Sequence, residues 1–160
     1  MDVLPSILYA RLANVYAYSE WVEGLYIPVN RMHRLRIAAK GLLYTLEFFE
    51  GMLGDDAKIM IEELKNLQDH LGDLHDSIIT VDLLNSFLKT GEWGSAENGK
   101  ISEKESFSKS MEGIEAYLKY REEELQMLLD TFPEAWRKIR SGEFRGRIES
   151  NVKRLLENSL

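Results

Sequence analysis

The chain has 160 residues and a formal net charge of −7, with 44% apolar and 29% charged residues. That length can bury a hydrophobic core as one domain, and the composition is too apolar for a disordered chain. Cysteine is absent, which excludes disulfides, thiolate nucleophiles, Cys-ligated zinc and iron–sulfur clusters.

The charge is unevenly spread. Residues 1–53 carry five acids and five bases, residues 54–134 carry 19 acids and eight bases, and residues 135–160 carry three acids and seven bases. Local potential decides whether an anion is attracted, so an acidic total does not exclude an anionic ligand. Duplex nucleic acid fits poorly, because its backbone would also meet the acidic middle. No apolar run reaches the roughly 18 residues of a membrane span. Met1 to Ala10 lacks a basic n-region. These features and the missing cysteines suit a reducing cytoplasm.

In chain order, Pro5 suits the first turn of a helix. Its apolar face runs through Leu4, Ile7, Leu8, Leu12, Val15 and Tyr16 and continues to Trp21, until Gly24 and Pro28 break the pattern. Asn30 is the expected N-cap of a second helix, about Arg31 to Leu53, with the stripe Leu35, Ala39, Leu42, Leu46 and Phe49. Gly54-Asp55-Asp56 ends it and caps a third helix. There Met60, Leu64, Leu67, Leu71, Leu74, Ile78, Val81 and Leu88 recur at spacings close to 3.5. The pattern passes through Gly72 unbroken, which marks a close-packing point. Residues 90–101, Gly-rich and polar, are expected to form a flexible loop.

A fourth helix is expected from near Ser102, with Glu105 completing a capping box, to Phe132. Pro133 would begin a short helix that Ser141-Gly142 stops. A last helix from Glu143 to Asn158 would bury Phe144, Ile148, Val152 and Leu155. No strand pattern and no internal repeat is present. The expected fold is all-α, a single domain over 1–160: an antiparallel helical bundle of about four long helices plus a short one.

The second helix draws attention. Between Gly24 and Leu46 stand Arg31, Arg34, Arg36 and Lys40, with no acid. At about 100° per residue, His33, Ile37, Lys40 and Tyr44 share one side, flanked by Arg34 and Arg36 and turned away from the apolar stripe. Cations without a local counter-charge persist when they are simply solvated, when acids from another helix meet them, or when an anion binds. Asp69, Asp73 and Asp76, on one face of the third helix, are the internal candidates for pairing.

The string Met32-His33-Arg34-Leu35-Arg36-Ile37-Ala38-Ala39-Lys40, followed by Leu42 and by Tyr44 to Phe49, resembles the His-x-x-Arg-x-x-x-Lys helix of the CHAD family, the conserved histidine α-helical domain. The string Leu64-Lys65-x-Leu67-Gln68-Asp69-x-Leu71-Gly72-Asp73-Leu74-His75-Asp76 resembles that family's next helix. The likeness is sharpest over 31–84, with a weaker echo in Phe132-Pro133-x-x-Trp136-Arg137-x-x-Arg140 and Phe144-Arg145. The resemblance implies binding of inorganic polyphosphate by basic helix faces, without catalysis or cofactor, and a location in the cytoplasm or on polyphosphate granules. By position it assigns ligand binding to His33, Arg36 and Lys40, with Arg34 and Arg31 beside them and Arg137 and Arg140 as further candidates. Gln68, Asp69, Gly72 and Asp76 take structural or helix-orienting roles.

Two departures stand out. Gly41 and Leu43 occupy positions where members of the family often carry Arg, which thins the basic face. A full family domain also has two similar halves, whereas this chain has one His-containing helix and resembles the C-terminal half. A second chain supplying the other half, a partial gene and a divergent single-half member are the alternatives, and a symmetric homodimer would restore a two-sided groove.

The ligand suits such a face. Arg presents a planar fork to phosphate oxygens and Lys a mobile point charge. Binding should weaken steeply with salt. His33 offers one hydrogen bond when neutral and two when protonated, so tighter binding below about pH 6.5 is expected. Arg137, Lys138, Arg140, Arg145 and Arg147 either extend the track or pair with the acidic helices. Rival readings are a helical protein–protein interaction module and a metal-dependent phosphohydrolase using His75, Asp76, His33, His70 and Asp82. An Asp-rich solvated helix face explains the second set more simply.

Overall fold

The computed structural model describes residues 3–22, 29–91 and 104–157, with side chains from residue 111 onward in the last stretch. All elements in these segments are α-helices: α1 (Val3–Tyr16), α2 (Ser19–Val22), α3 (Val29–Phe48), α4 (Glu50–Leu53), α5 (Asp55–Thr90), α6 (Lys104–Arg140) and α7 (Gly142–Glu157). The chain folds as an all-α helical bundle, and none of the described helices is long and apolar enough to cross a membrane. Two compact units are present. One comprises 1–72 with 131–160, and the other comprises 73–130.

The first unit is built on apolar stripes at helical spacing. Leu4, Leu8, Leu12 and Val15 bury one face of α1, and Met32, Leu35, Ala39, Leu42 and Leu46 bury one face of α3. From α5 come Met60, Leu64, Leu67 and Leu71, and from the C-terminal helices Phe132, Ile139, Phe144 and Ile148. Truncating any one of the fully buried leucines to Ala would cost about 2–5 kcal/mol, because transfer free energy and packing are lost together.

The helices differ from the sequence expectation at their ends. The first stops at Tyr16, and Trp21 lies beyond it on the short α2, exposed on one side. Asn30 is not a cap, since α3 already includes Val29. The second expected helix is broken after Phe48, and α4 completes it as a single turn. Gly54 closes that turn at φ 73° and donates its N–H to the Glu50 carbonyl at 2.9 Å. A side chain at that φ would be strained.

Pro133 does not start a helix but sits inside α6. Its missing N–H leaves the Leu129 carbonyl without its usual partner, and Leu129 is solvent-exposed, so water can substitute. The expected stop at Ser141 is present: the Ser141 hydroxyl accepts from the Phe144 N–H at 3.1 Å and caps α7. The start expected near Ser102 and the loop expected over 90–101, beyond Gly91, lie outside the described residues.

In the second unit the later part of α5 pairs with the earlier part of α6. Arg121 donates to the Ser77 hydroxyl at 3.2 Å and forms an ion pair with Glu124 at 2.6 Å. Leu74, Ser77, Leu84 and Phe87 are buried there, whereas Ile78, Val81 and Leu88 are half-buried. From α6, Met111, Ile114, Leu118, Leu125 and Leu128 are likewise half-buried.

Candidate anion-binding face

The sequence of α3 separates into two faces, and the fold uses each differently. Leu35, Ala39, Leu42 and Leu46 enter the core. His33, Arg34, Arg36 and Lys40 are exposed on the outer side. Among the described residues, Arg31, Arg34, Arg36 and Lys40 form no ion pair with a carboxylate. Asp69, a candidate for internal pairing, is exposed and pairs with none of them. The first turn of α3 also contains no acid, so the positive end of its dipole adds to the potential of Arg31 and Arg34.

Several contacts fix these cations without neutralising them. The Arg31 guanidinium lies 3.3 Å from the centroid of the Trp21 ring, and Lys40 Nζ lies 5.4 Å from that of Tyr44. A ring face orients a cation and leaves its charge in place. Arg36 leans toward α5, where its guanidinium passes over Gly72: a Cβ built there would stand 3.8 Å from Nη2. Gly72 stands in contact with a side chain of α3, and it lies within the helical range of α5.

Gln68 is buried, and its Nε2 donates to the Arg36 carbonyl at 2.7 Å. That carbonyl has a second lone pair beyond its helical bond, so the amide ties α5 to α3 at the level of the basic cluster. Lys65 and Glu47 add an ion pair at 2.8 Å between the same two helices.

The remaining candidates are placed otherwise. Asp76, in the second unit, is exposed, with one carboxylate oxygen 3.3 Å from His75 Nδ1. Arg137 is exposed and has no ion-pair partner among the described residues. Arg140 donates to the Ser19 hydroxyl at 2.6 Å and stands over the Tyr16 ring at 5.3 Å, next to the Tyr16–Ile139 hydrogen bond. Of the other C-terminal bases, Arg145 pairs with Glu149 at 2.7 Å and Arg147 with Asp56 at 3.2 Å. Arg154 donates to the Leu53 carbonyl and to Asn151 Oδ1. Most of this cluster is therefore engaged within the fold.

Among the described residues no group of three or more His, Asp or Glu side chains is arranged to hold a metal ion. His70, one of the imagined ligands, packs its ring against Phe132 at 5.6 Å between centroids.

One cation on this face is not evident from the second helix. Arg11, on α1, lies against Gly41 of α3, with Nη1 3.0 Å from the position of a Cβ. Its only sequence signal is the gap at Gly41 itself, which has meaning once α1 is known to pack on α3.

The model for the CHAD domain matches residues 2–85, which run from α1 through α3 into α5. No curated protein and no solved structure matches the chain.

Proposed function

The chain belongs to the CHAD family, and from that premise we propose that its first unit binds inorganic polyphosphate, without catalysis, along the exposed cations of α3. The observation that carries this reading is the set Arg34, Arg36 and Lys40, exposed on a rigid helix and unpaired with any described carboxylate. Polyphosphate carries about one charge per phosphate and offers neither base edges nor a fixed shape. Its recognition rests on many modest charge contacts, which such a helix supplies at little entropic cost. Arg31, oriented by Trp21, and His33 extend the row toward the start of α3. A cysteine-free chain with this ligand suits the cytoplasm and the surface of polyphosphate granules.

Titration of labelled long-chain polyphosphate, with duplex DNA of equal charge as competitor, tests the reading. Saturable binding that DNA displaces poorly supports it. Absence of binding at low salt overturns it.

The outer side of α3 also exposes Ile37 (58%), Tyr44 (54%) and Phe48 (82%). This favours a second reading, in which the face docks a further helix, with a second copy of the chain completing a two-sided groove. Sedimentation that finds a monomer at high concentration, with tight polyphosphate binding intact, removes the dimer.

A further inference from the structure

We infer that α1 contributes a phosphate-binding side chain, Arg11, which takes the place left vacant on α3 by Gly41 and forms with Arg34 a two-pronged phosphate subsite beside the cationic row. The inference rests on the polyphosphate reading and adds a residue and a location to it.

The packing at Gly41 is the first observation. The Arg11 Nη1, Cζ and Cδ atoms stand 3.0, 3.6 and 3.7 Å from where a Cβ would be, so the guanidinium and the end of its stem lie flat on the glycine. A side chain at position 41 would push Arg11 aside. The missing side chain of α3 is thus exchanged for a cation from the neighbouring helix.

The notch beside it is the second observation. A volume of about 350 Å³ is lined by Arg11 and Asn14 from α1, by Tyr18 just beyond its end, and by Arg34, Ile37 and Ala38 from α3. Arg11 and Asn14 stand at i and i+3 on α1, and Arg34, Ile37, Ala38 and Gly41 at i, i+3, i+4 and i+7 on α3, so two helix faces oppose each other. No acid lines the notch. Arg11 and Arg34 are both exposed, and neither forms an ion pair among the described residues. Two guanidinium forks, a neutral amide and a phenol line this one notch, donors that suit the oxygens of a phosphate group. Ile37 borders both the notch and the outer row, so the two lie side by side on α3.

The test titrates labelled long-chain polyphosphate into the wild type, Arg11→Gln, Arg11→Gln/Gly41→Arg, and Lys153→Gln as a control for net charge. Lys153 faces Glu157 on α7 at 3.9 Å. Thermal melts establish that each variant is folded. Arg11→Gln should weaken binding by about three- to tenfold at low salt and reduce the slope of log K against log salt by about one, the loss of one phosphate contact. The double variant should recover most of the affinity, and Lys153→Gln should bind as the wild type does. If the wild type binds but Arg11→Gln matches it or only matches Lys153→Gln, the inference falls and the polyphosphate reading stands. A folded double variant as weak as Arg11→Gln also overturns the exchange of positions 11 and 41. No binding by the wild type overturns both.

Discussion

Gln68 reaches from α5 to the main chain of α3 and donates its side-chain amide to the carbonyl of Arg36 at 2.7 Å. The residue that anchors the two helices is thus bonded to the backbone of a residue whose side chain belongs to the cationic row. Position and charge are supplied separately: Gln68 holds the Arg36 main chain, and the Arg36 guanidinium, exposed, lies along α5 beside Gly72.

Gln68→Leu should therefore cost stability before it costs charge. A hydrogen bond of this kind contributes about 1 kcal/mol net, and the carbonyl keeps its helical bond. We expect a urea midpoint lowered by an amount equivalent to about 1 kcal/mol, with an unchanged m-value. Polyphosphate affinity should fall less than in any variant that removes a cation. An unchanged midpoint would show that the bond contributes nothing.

Gly72 makes an opposite prediction. Its Cβ position stands 3.8 and 3.9 Å from Arg36 Nη2 and Nε, ordinary van der Waals distances. Gly72→Ala should raise stability by about 0.5–1 kcal/mol, the helix-propensity difference, and leave polyphosphate affinity within about twofold. Gly72→Leu should displace the guanidinium and weaken binding. Paired melting and binding measurements on the two variants check both expectations.

Much of this arrangement is legible in the sequence, and the illegible part has physical causes. The stripes of α3 and the first half of α5 mark the core from Leu35 to Leu46 and from Met60 to Leu74, because 3.5–3.6 periodicity reports burial. Phe49, Ile78, Val81 and Leu88, read as part of the same stripes, are only half-buried. The basic row follows as the face opposite the stripe. Helix ends are harder. Asn30 and Pro133 both have a local preference for a helix start, yet each lies inside a helix, on its exposed side. Arg11 is hidden because its role depends on which residue of another helix lies beneath it. Arg140 reads like Arg137 in sequence, yet a partner hydroxyl at Ser19 and the ring of Tyr16 separate them.

Glu63 supplies a pH test of the first unit. Burial pushes its carboxyl above the usual carboxylate range, with Arg147 opposing and Glu143 adding to the shift. Its Oε2 is buried with no hydrogen-bond partner among the described residues. A pKa raised by folding contributes stability that is complete below the unfolded value and is lost as pH rises through the folded one. At neutral pH the ionised group therefore opposes folding. Glu63→Gln should be more stable than the wild type at pH 7, by less than about 1 kcal/mol because solvent screens the half-buried group. The advantage should shrink as pH falls and vanish below the unfolded carboxylate value of about 4.3. Melting temperatures of both proteins across that range measure it.

The most direct test of the account is titration of long-chain polyphosphate into wild type and Arg36→Glu/Lys40→Glu at about 50 and 200 mM salt. Both side chains are exposed, so the double variant should fold normally. The account predicts a loss of more than about tenfold in affinity at the lower salt and a shallower salt dependence, because two phosphate contacts are replaced by repulsion. Equal affinity and equal salt slope in the two proteins would contradict it and remove the ligand from α3.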